Sequence, residues 1–216
     1  QPGGGYLIGA TAQEEALCRR SSLYLHLTPY TPPSECRKGM KPYAVAIRAA
    51  LPSAHYPFAT PTTALWSADV LIFRAGDFPS PSPNQSECRR YEPHEILPPI
   101  EQFTCNVISA AAIQLPDIID GTYANEKDLQ LMTEKIRNFL HIAKAQRQAH
   151  LVLGAFGCGA FRNPPATVAG LMKELLAPGM EFGDCFDEVV FAIVERSGSA
   201  NLGPFEAAFS AIVPVG

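Results

Sequence analysis

Residues 151–165 read LVLGAFGCGAFRNPP. An apolar run leads into glycines at 154, 157 and 159, and prolines follow at 164 and 165. The run is short and rich in Leu and Val, as a buried strand is. Proline suits the first turn of a helix, where its missing N–H leaves no bond unmade. The segment therefore predicts strand, glycine-rich turn, helix. In an open α/β sheet, ligands bind beyond the carboxyl ends of strands. Glycine lets backbone N–H groups approach an anion, and a helix start adds favourable partial charge. The loop suits a phosphate or diphosphate; a tight turn with no ligand is the other reading. It is not a P-loop, since no Gly-Lys-Ser/Thr follows, and its glycine spacing does not match the dinucleotide fingerprint.

The same alternation runs through the chain. Four unalternating apolar runs predict strands covered on both faces: 69–73 (DVLIF), 104–111 (TCNVISAA), 151–156 (LVLGAF) and 188–194 (EVVFAIV). Helices are expected over 11–27, 124–148, 164–177 and 204–213. Strands alternating with helices indicate an α/β domain. The proline-rich stretches 28–64 and 77–100 predict irregular surface loops, the second a candidate flap.

Composition narrows the function classes. The 216 residues are 47% hydrophobic and 18% charged, a globular balance. A net charge of −4 does not draw nucleic-acid backbones, so direct DNA binding is not expected. No apolar run reaches the roughly 18 residues that cross a bilayer. Cysteines 18, 36, 88, 105, 158 and 185 are scattered, with no CxxC pair and no zinc spacing. Reduced thiols and an intracellular protein, cytoplasmic or nuclear, are expected, with no metal. Cys105 and Cys158 read as small hydrophobes. His26, His55, His94, His141 and His150 form no recognisable triad.

The chain opens QPGGGYLIGATAQEE. Gly3, Gly4 and Gly5 offer a second backbone-only surface. Gln13, Glu14 and Glu15 open the predicted helix over 11–27. Adjacent helical residues point about 100° apart, so only one of the two carboxylates can face a cleft squarely. Taken alone, a Gln-Glu-Glu run is also ordinary chemistry for a helix start.

The triple glycine, the Gln-Glu-Glu that follows residues 6–12, and the later GCGAF together resemble the poly(ADP-ribose) glycohydrolase family, in its bacterial-type and fungal branch. LCRRSSLY, VISAAA and LVLGAFGCGAFRNPP fit as well, so the likeness spans most of the chain. The resemblance implies a three-layer α/β/α macrodomain with a mixed, mostly parallel central sheet. It implies one catalytic domain over 1–216. In relatives a strand precedes the triple glycine; here only Gln1 and Pro2 do, so an N-terminal segment is expected to be lacking.

The implied reaction is hydrolysis of the ribose–ribose O-glycosidic bond of poly(ADP-ribose), releasing ADP-ribose, without a cofactor. By the family's pattern Glu15 is the catalytic acid and Glu14 holds hydroxyls of the terminal ribose. Gly3, Gly4, Gly5, Gln13 and the loop Gly157, Cys158, Gly159, Ala160 and Phe161 would enclose the diphosphate and that ribose. Phe161 would pack on the ribose; Phe156 stands between site and core. Phe191 and Phe205 are candidates for the adenine pocket. Cleavage of a ribosyl bond passes through an oxocarbenium-like state, and the leaving oxygen needs a proton from one positioned acid. A non-catalytic ADP-ribose reader and a hydrolase of mono-ADP-ribose on proteins are the alternatives, with ADP-ribosylated proteins as partners. A scaffold domain without a small ligand is a further one.

Overall fold

The structure, a computed structural model, describes residues 12–30, 58, 60–76, 94–194 and 200–210. The chain divides into two compact units, Gln1–Thr60 with Leu65–Ser109, and Pro61–Ala64 with Ala110–Gly216. Helices and strands mix along it, alternating from residue 122 to residue 209, which is the α/β class that the sequence predicts. Among the described residues the strands form three two-stranded sheets.

In the first unit, helix α1 (Gln13–Arg20) and helix α2 (Leu23–Leu27) replace the single helix expected over 11–27. Good helix formers fill α1. Glu14 and Glu15 in its first turn, and Arg19 and Arg20 in its last, complement the helix dipole. The break falls at Ser21. Its hydroxyl donates to the Leu17 carbonyl at 2.7 Å and accepts from the Leu23 N–H at 3.1 Å. Serine competes in this way with the helical backbone ladder. The freed backbone turns to strand β1 (Ala64–Ile72), where Ser21 bridges Ile72 in antiparallel fashion. The Phe73 N–H donates to the Arg20 carbonyl at 3.0 Å.

Cys18, Leu23 and Leu27 pack on Val70 and Ile72, with Leu17, Tyr24, Leu65 and Val107 around them. Full burial of one such leucine contributes about 1.5–3 kcal/mol. Strand β2 (Phe103–Ala110) pairs with β1. Its first four residues are exposed, Cys105 among them, so that thiol is not the small core group expected. Within the predicted loops, Thr28–Tyr30 and Pro99–Glu101 form single 3-10 turns. Residues 31–57 and 77–93 lie outside the described residues.

The second unit holds the strand–turn–helix read from residues 151–165. Strand β5 (His150–Leu153) pairs in parallel with β6 (Glu188–Phe191), Leu151 opposite Val189 and Leu153 opposite Phe191. Helix α3 (Glu126–Ala145) starts at Asn125, whose side chain accepts from the Asp128 N–H. It buries Met132, Ile136, Phe139, Leu140 and Ala143 at helical spacing. Helix α4 (Pro165–Leu176) begins on its proline and buries Val168, Leu171, Met172 and Leu175. Helix α5 (Leu202–Phe209) sets Phe205 and Phe209 against Phe191, ring centroids 5.3 and 4.6 Å apart.

Two further findings depart from the sequence reading. Strands β5 and β6 bury one face only: Val152 is 69% and Val190 44% exposed, while Leu151 is buried. An unbroken apolar run permits a second covering layer but does not supply one. A hairpin also goes unread in the sequence, β3 (Ile118–Ile119) with β4 (Thr122–Tyr123), antiparallel. Its turn residues, Asp120 and Gly121, have φ of 49° and 77°. That pair of left-handed residues is what an Asp-Gly hairpin turn requires. No helix among the described residues is long and apolar enough to cross a membrane.

Candidate active site

Glu14 and Glu15 occupy the first turn of α1, both half-buried, and Gln13 before them is exposed. One oxygen of Glu15, Oε2, is shut off from solvent and has no hydrogen-bond partner among the described residues. Buried polar atoms are nearly always paired, and an orphan marks strain, a catalytic role or a missing partner. No side chain caps the helix start at Ala12. Cys18 lies one turn further on. Burial pushes its thiol up to about 12, and the negative charges of Glu14 and then Glu15 push the same way. Gly3, Gly4 and Gly5 lie outside the described residues.

In the second unit, the residues Gly157, Cys158, Gly159, Ala160 and Phe161 form one compact loop between β5 and α4. Two tight turns build it: the Cys158 N–H donates to the Ala155 carbonyl, and the Arg162 N–H to the Gly159 carbonyl, both at 3.0 Å. Gly157 has φ +74°, and an added Cβ would collide with the Ala112 methyl and come within 2.6 Å of Asn163 Nδ2. Only glycine fits there. Among the described residues, the N–H groups of Gly157, Gly159, Ala160 and Phe161 find no acceptor. Successive unpaired N–H groups of this kind make an anion cradle.

Cys158 is buried under the loop, and burial pushes its thiol up to about 12. A thiol so held is no nucleophile at neutral pH, and it packs as the sequence suggests. Its Sγ lies 3.6 Å from the Phe156 carbonyl. Phe156, half-buried, meets Phe139 of α3 edge-on at 5.4 Å. Phe191 likewise packs on Phe205 and Phe209. Cys18, Cys105, Cys158 and Cys185 are free thiols. Among the described residues no His, Cys, Asp and Glu side chains group as a metal centre would need.

Sequence reasoning missed Asn163 and Tyr123. Asn163 is 1% exposed. Its Oδ1 accepts from the Tyr123 hydroxyl at 2.9 Å, and its Nδ2 donates to the carbonyls of Ile113 at 2.7 Å and Gly157 at 3.0 Å. The signals were an asparagine before two prolines, where the chain must leave helical geometry, and the Asp-Gly turn that delivers Tyr123.

A strand running into a glycine-built cradle of bare N–H groups, in a chain that also holds an orphaned glutamate oxygen at a helix start, makes this a mixed α/β protein with a candidate anion-binding loop. Comparison with known proteins carries this further. Residues 1–75 match the family model of the microbial-type PARG catalytic domain. The structure is similar to poly(ADP-ribose) glycohydrolase from Deinococcus radiodurans in complex with ADP-ribose, at TM-score 0.62 and 30% identity, over 98% of this chain and 71% of that one. It is similar to the enzyme from Thermomonospora curvata at TM-score 0.63 and 28% identity, over 99% of this chain and 64% of that one. The Thermomonospora curvata enzyme bound to the inhibitor ADP-HPD gives TM-score 0.62 at 27% identity. No curated protein sequence matches. The chain belongs to the poly(ADP-ribose) glycohydrolase family.

Proposed function

We propose that this chain hydrolyses the ribose–ribose O-glycosidic bonds of poly(ADP-ribose) and releases ADP-ribose, with residues 1–216 acting as one catalytic domain. The observation that carries the reading is the buried Oε2 of Glu15, unpartnered among the described residues. A carboxyl oxygen kept from water and given no protein donor is suited to a partner that arrives with the substrate. As the glycosidic bond breaks, Glu15 hands its proton to the departing ribose oxygen. Charge then develops on the remaining ribosyl carbon, and the substrate diphosphate stabilises it. Glu15, now a carboxylate, takes a proton from the attacking water.

Glu14 holds hydroxyls of the terminal ribose, and Gln13, Gly3, Gly4 and Gly5 help to enclose that ribose and the diphosphate. The N–H groups of Gly157, Gly159, Ala160 and Phe161 receive the diphosphate, and the Phe161 ring packs on the ribose. Each ligand group is thereby held while one bond is broken, and positioning of this kind supplies much of the rate. ADP-ribosylated proteins are the natural carriers of the substrate.

The test incubates the protein with labelled poly(ADP-ribose) and measures free ADP-ribose. Wild type releases it. Glu15→Gln binds ADP-ribose but turns over at least about a hundredfold more slowly, the low end for loss of one acid–base group. A protein that binds ADP-ribose and releases none from the polymer is a reader, and normal turnover by Glu15→Gln removes that residue from the mechanism.

A further inference from the structure

We propose that Asn163 is a positioning residue, which sets the backbone of the Gly157–Phe161 loop so that its N–H groups face a diphosphate, and that Tyr123 fixes the orientation of its amide. The inference rests on the functional reading above and names the part of the second unit that gives the loop its shape.

All three N–H hydrogens of Asn163 are committed, and its Oδ1 accepts from Tyr123. Its Nδ2 spends both hydrogens on the carbonyls of Ile113 and Gly157. Its own N–H donates to the same Gly157 carbonyl at 3.0 Å. The Gly157 carbonyl is therefore held inward by two donors from one residue. In a trans peptide the C=O and the next N–H point in opposite directions. The Cys158 N–H accordingly closes the first turn on Ala155. In the second turn the Gly159 carbonyl faces the Arg162 N–H, which sends the Ala160 N–H the other way, out of the loop.

The segment across from the loop is held by the same residue. Asn163 grips Ile113, and two residues on, the Leu115 N–H donates to the Phe161 carbonyl at 2.9 Å. Phe161 is thus tied through its carbonyl to a segment that Asn163 also holds.

The shape has a cost that the asparagine offsets. Leu115 at φ 49° and Arg162 at φ 57° both sit in the left-handed region, along with Gly157. Leucine and arginine rarely adopt it, and such strain persists only where surrounding bonds over-determine the backbone. It clusters where a ligand is gripped. An asparagine amide can also be inverted, exchanging its oxygen and nitrogen. Tyr123 prevents this. Its hydroxyl, buried and held protonated by that burial, donates to Oδ1 and leaves Nδ2 for the two carbonyls.

Asn163→Asp keeps the size and the Tyr123 contact but sets an oxygen against two carbonyls. The experiment measures ADP-ribose affinity by calorimetry, and amide exchange of the peptide spanning 155–163 without ligand. It uses wild type, Asn163→Asp, Tyr123→Phe and Leu175→Ala, the last a packing change in the same unit. Asn163→Asp is expected to weaken ADP-ribose about tenfold or more, as loss of a buried hydrogen-bond donor does, and to speed exchange across the loop. Tyr123→Phe is expected to do the same by about threefold, and it decides the matter if Asn163→Asp does not fold. Leu175→Ala lowers the melting temperature and leaves affinity within about twofold. A folded Asn163→Asp with wild-type affinity and loop exchange, or one affected no more than Leu175→Ala, overturns the inference. Failure of wild type to bind ADP-ribose sinks the functional reading instead, and the ligand-free exchange still decides whether Asn163 shapes the loop.

Discussion

Ser22 and Leu71 exchange two hydrogen bonds: the Ser22 N–H donates to the Leu71 carbonyl, and the Leu71 N–H to Ser22 Oγ, each at 2.9 Å. This pair stitches the junction between α1 and α2 to β1, two residues past the end of the helix that carries Glu14 and Glu15.

Ser21 and Ser22 hold that junction by different means. Ser21 is wholly buried and both donates and accepts. Ser21→Ala leaves the Leu23 N–H without its acceptor, and should cost about 1–3 kcal/mol of unfolding free energy. Ser22→Ala deprives the Leu71 N–H of its acceptor at an exposed position, where water replaces it, and should cost under about 1 kcal/mol. Urea titrations of the two variants check the order; equal losses would show that the Ser21 hydroxyl is not the break that divides α1 from α2.

Gly157 and Gly159 should separate stability from binding. Gly157→Ala meets both a left-handed φ and two occupied contacts, and a loss of about 2 kcal/mol or more is expected from strain and overpacking. A Cβ at Gly159 meets nothing within 4 Å. Gly159→Ala should melt within a few degrees of wild type, yet weaken ADP-ribose by placing a methyl beside the cradle. Thermal melts with and without ADP-ribose read both effects.

Glu15→Gln should trade function for stability. The orphaned oxygen of Glu15 is a cost to the folded state, and active-site residues commonly carry such costs. The variant is expected to be as stable as wild type or more so, by up to about 1 kcal/mol. A clear drop in melting temperature would mean that Glu15 serves the fold.

Alkaline pH should unfold the protein in a stated window. The Cys18 and Cys158 thiols are raised by burial from 9.0 to about 12, and Tyr123 is raised above 10.0, first by burial. Between the unfolded and folded values the folded state binds more protons, so stability falls as pH rises. It is fully present below pH 9.0 and is lost on the way to 12. Lys135 acts oppositely: burial lowers it from 10.5, so it adds stability as pH rises through its folded value toward 10.5. Denaturant midpoints against pH should therefore fall above pH 9, and Cys18→Ala should flatten that fall. A midpoint constant up to pH 11 would contradict the buried-thiol account.

Much of this was legible in the residues, for traceable reasons. Pro164 and Pro165 announced the start of α4, and the helical spacing of Leu129, Met132, Ile136, Leu140 and Ile142 announced α3, where Met132, Ile136 and Leu140 are buried and Leu129 and Ile142 half-buried. The break at Ser21 was not legible, because it depends on β1, which lies far along the chain. Asn163 escaped notice because its partners, Tyr123, Ile113 and Gly157, meet only in the folded unit. The Asp120–Gly121 turn was readable and was passed over, since strands as short as Ile118–Ile119 and Thr122–Tyr123 leave almost no periodicity. The exposed flank of Val152 and Val190 was unreadable, as hydrophobicity says what burial is permitted and not what arrives to cover it.

A loop whose carbonyls are already tethered has little conformational freedom left to surrender. On the proposed reading, diphosphate capture at Gly157–Phe161 should cost little ordering entropy, with association governed by encounter with the cradle. The difference in affinity between ligands with and without the diphosphate would reside in how slowly they leave.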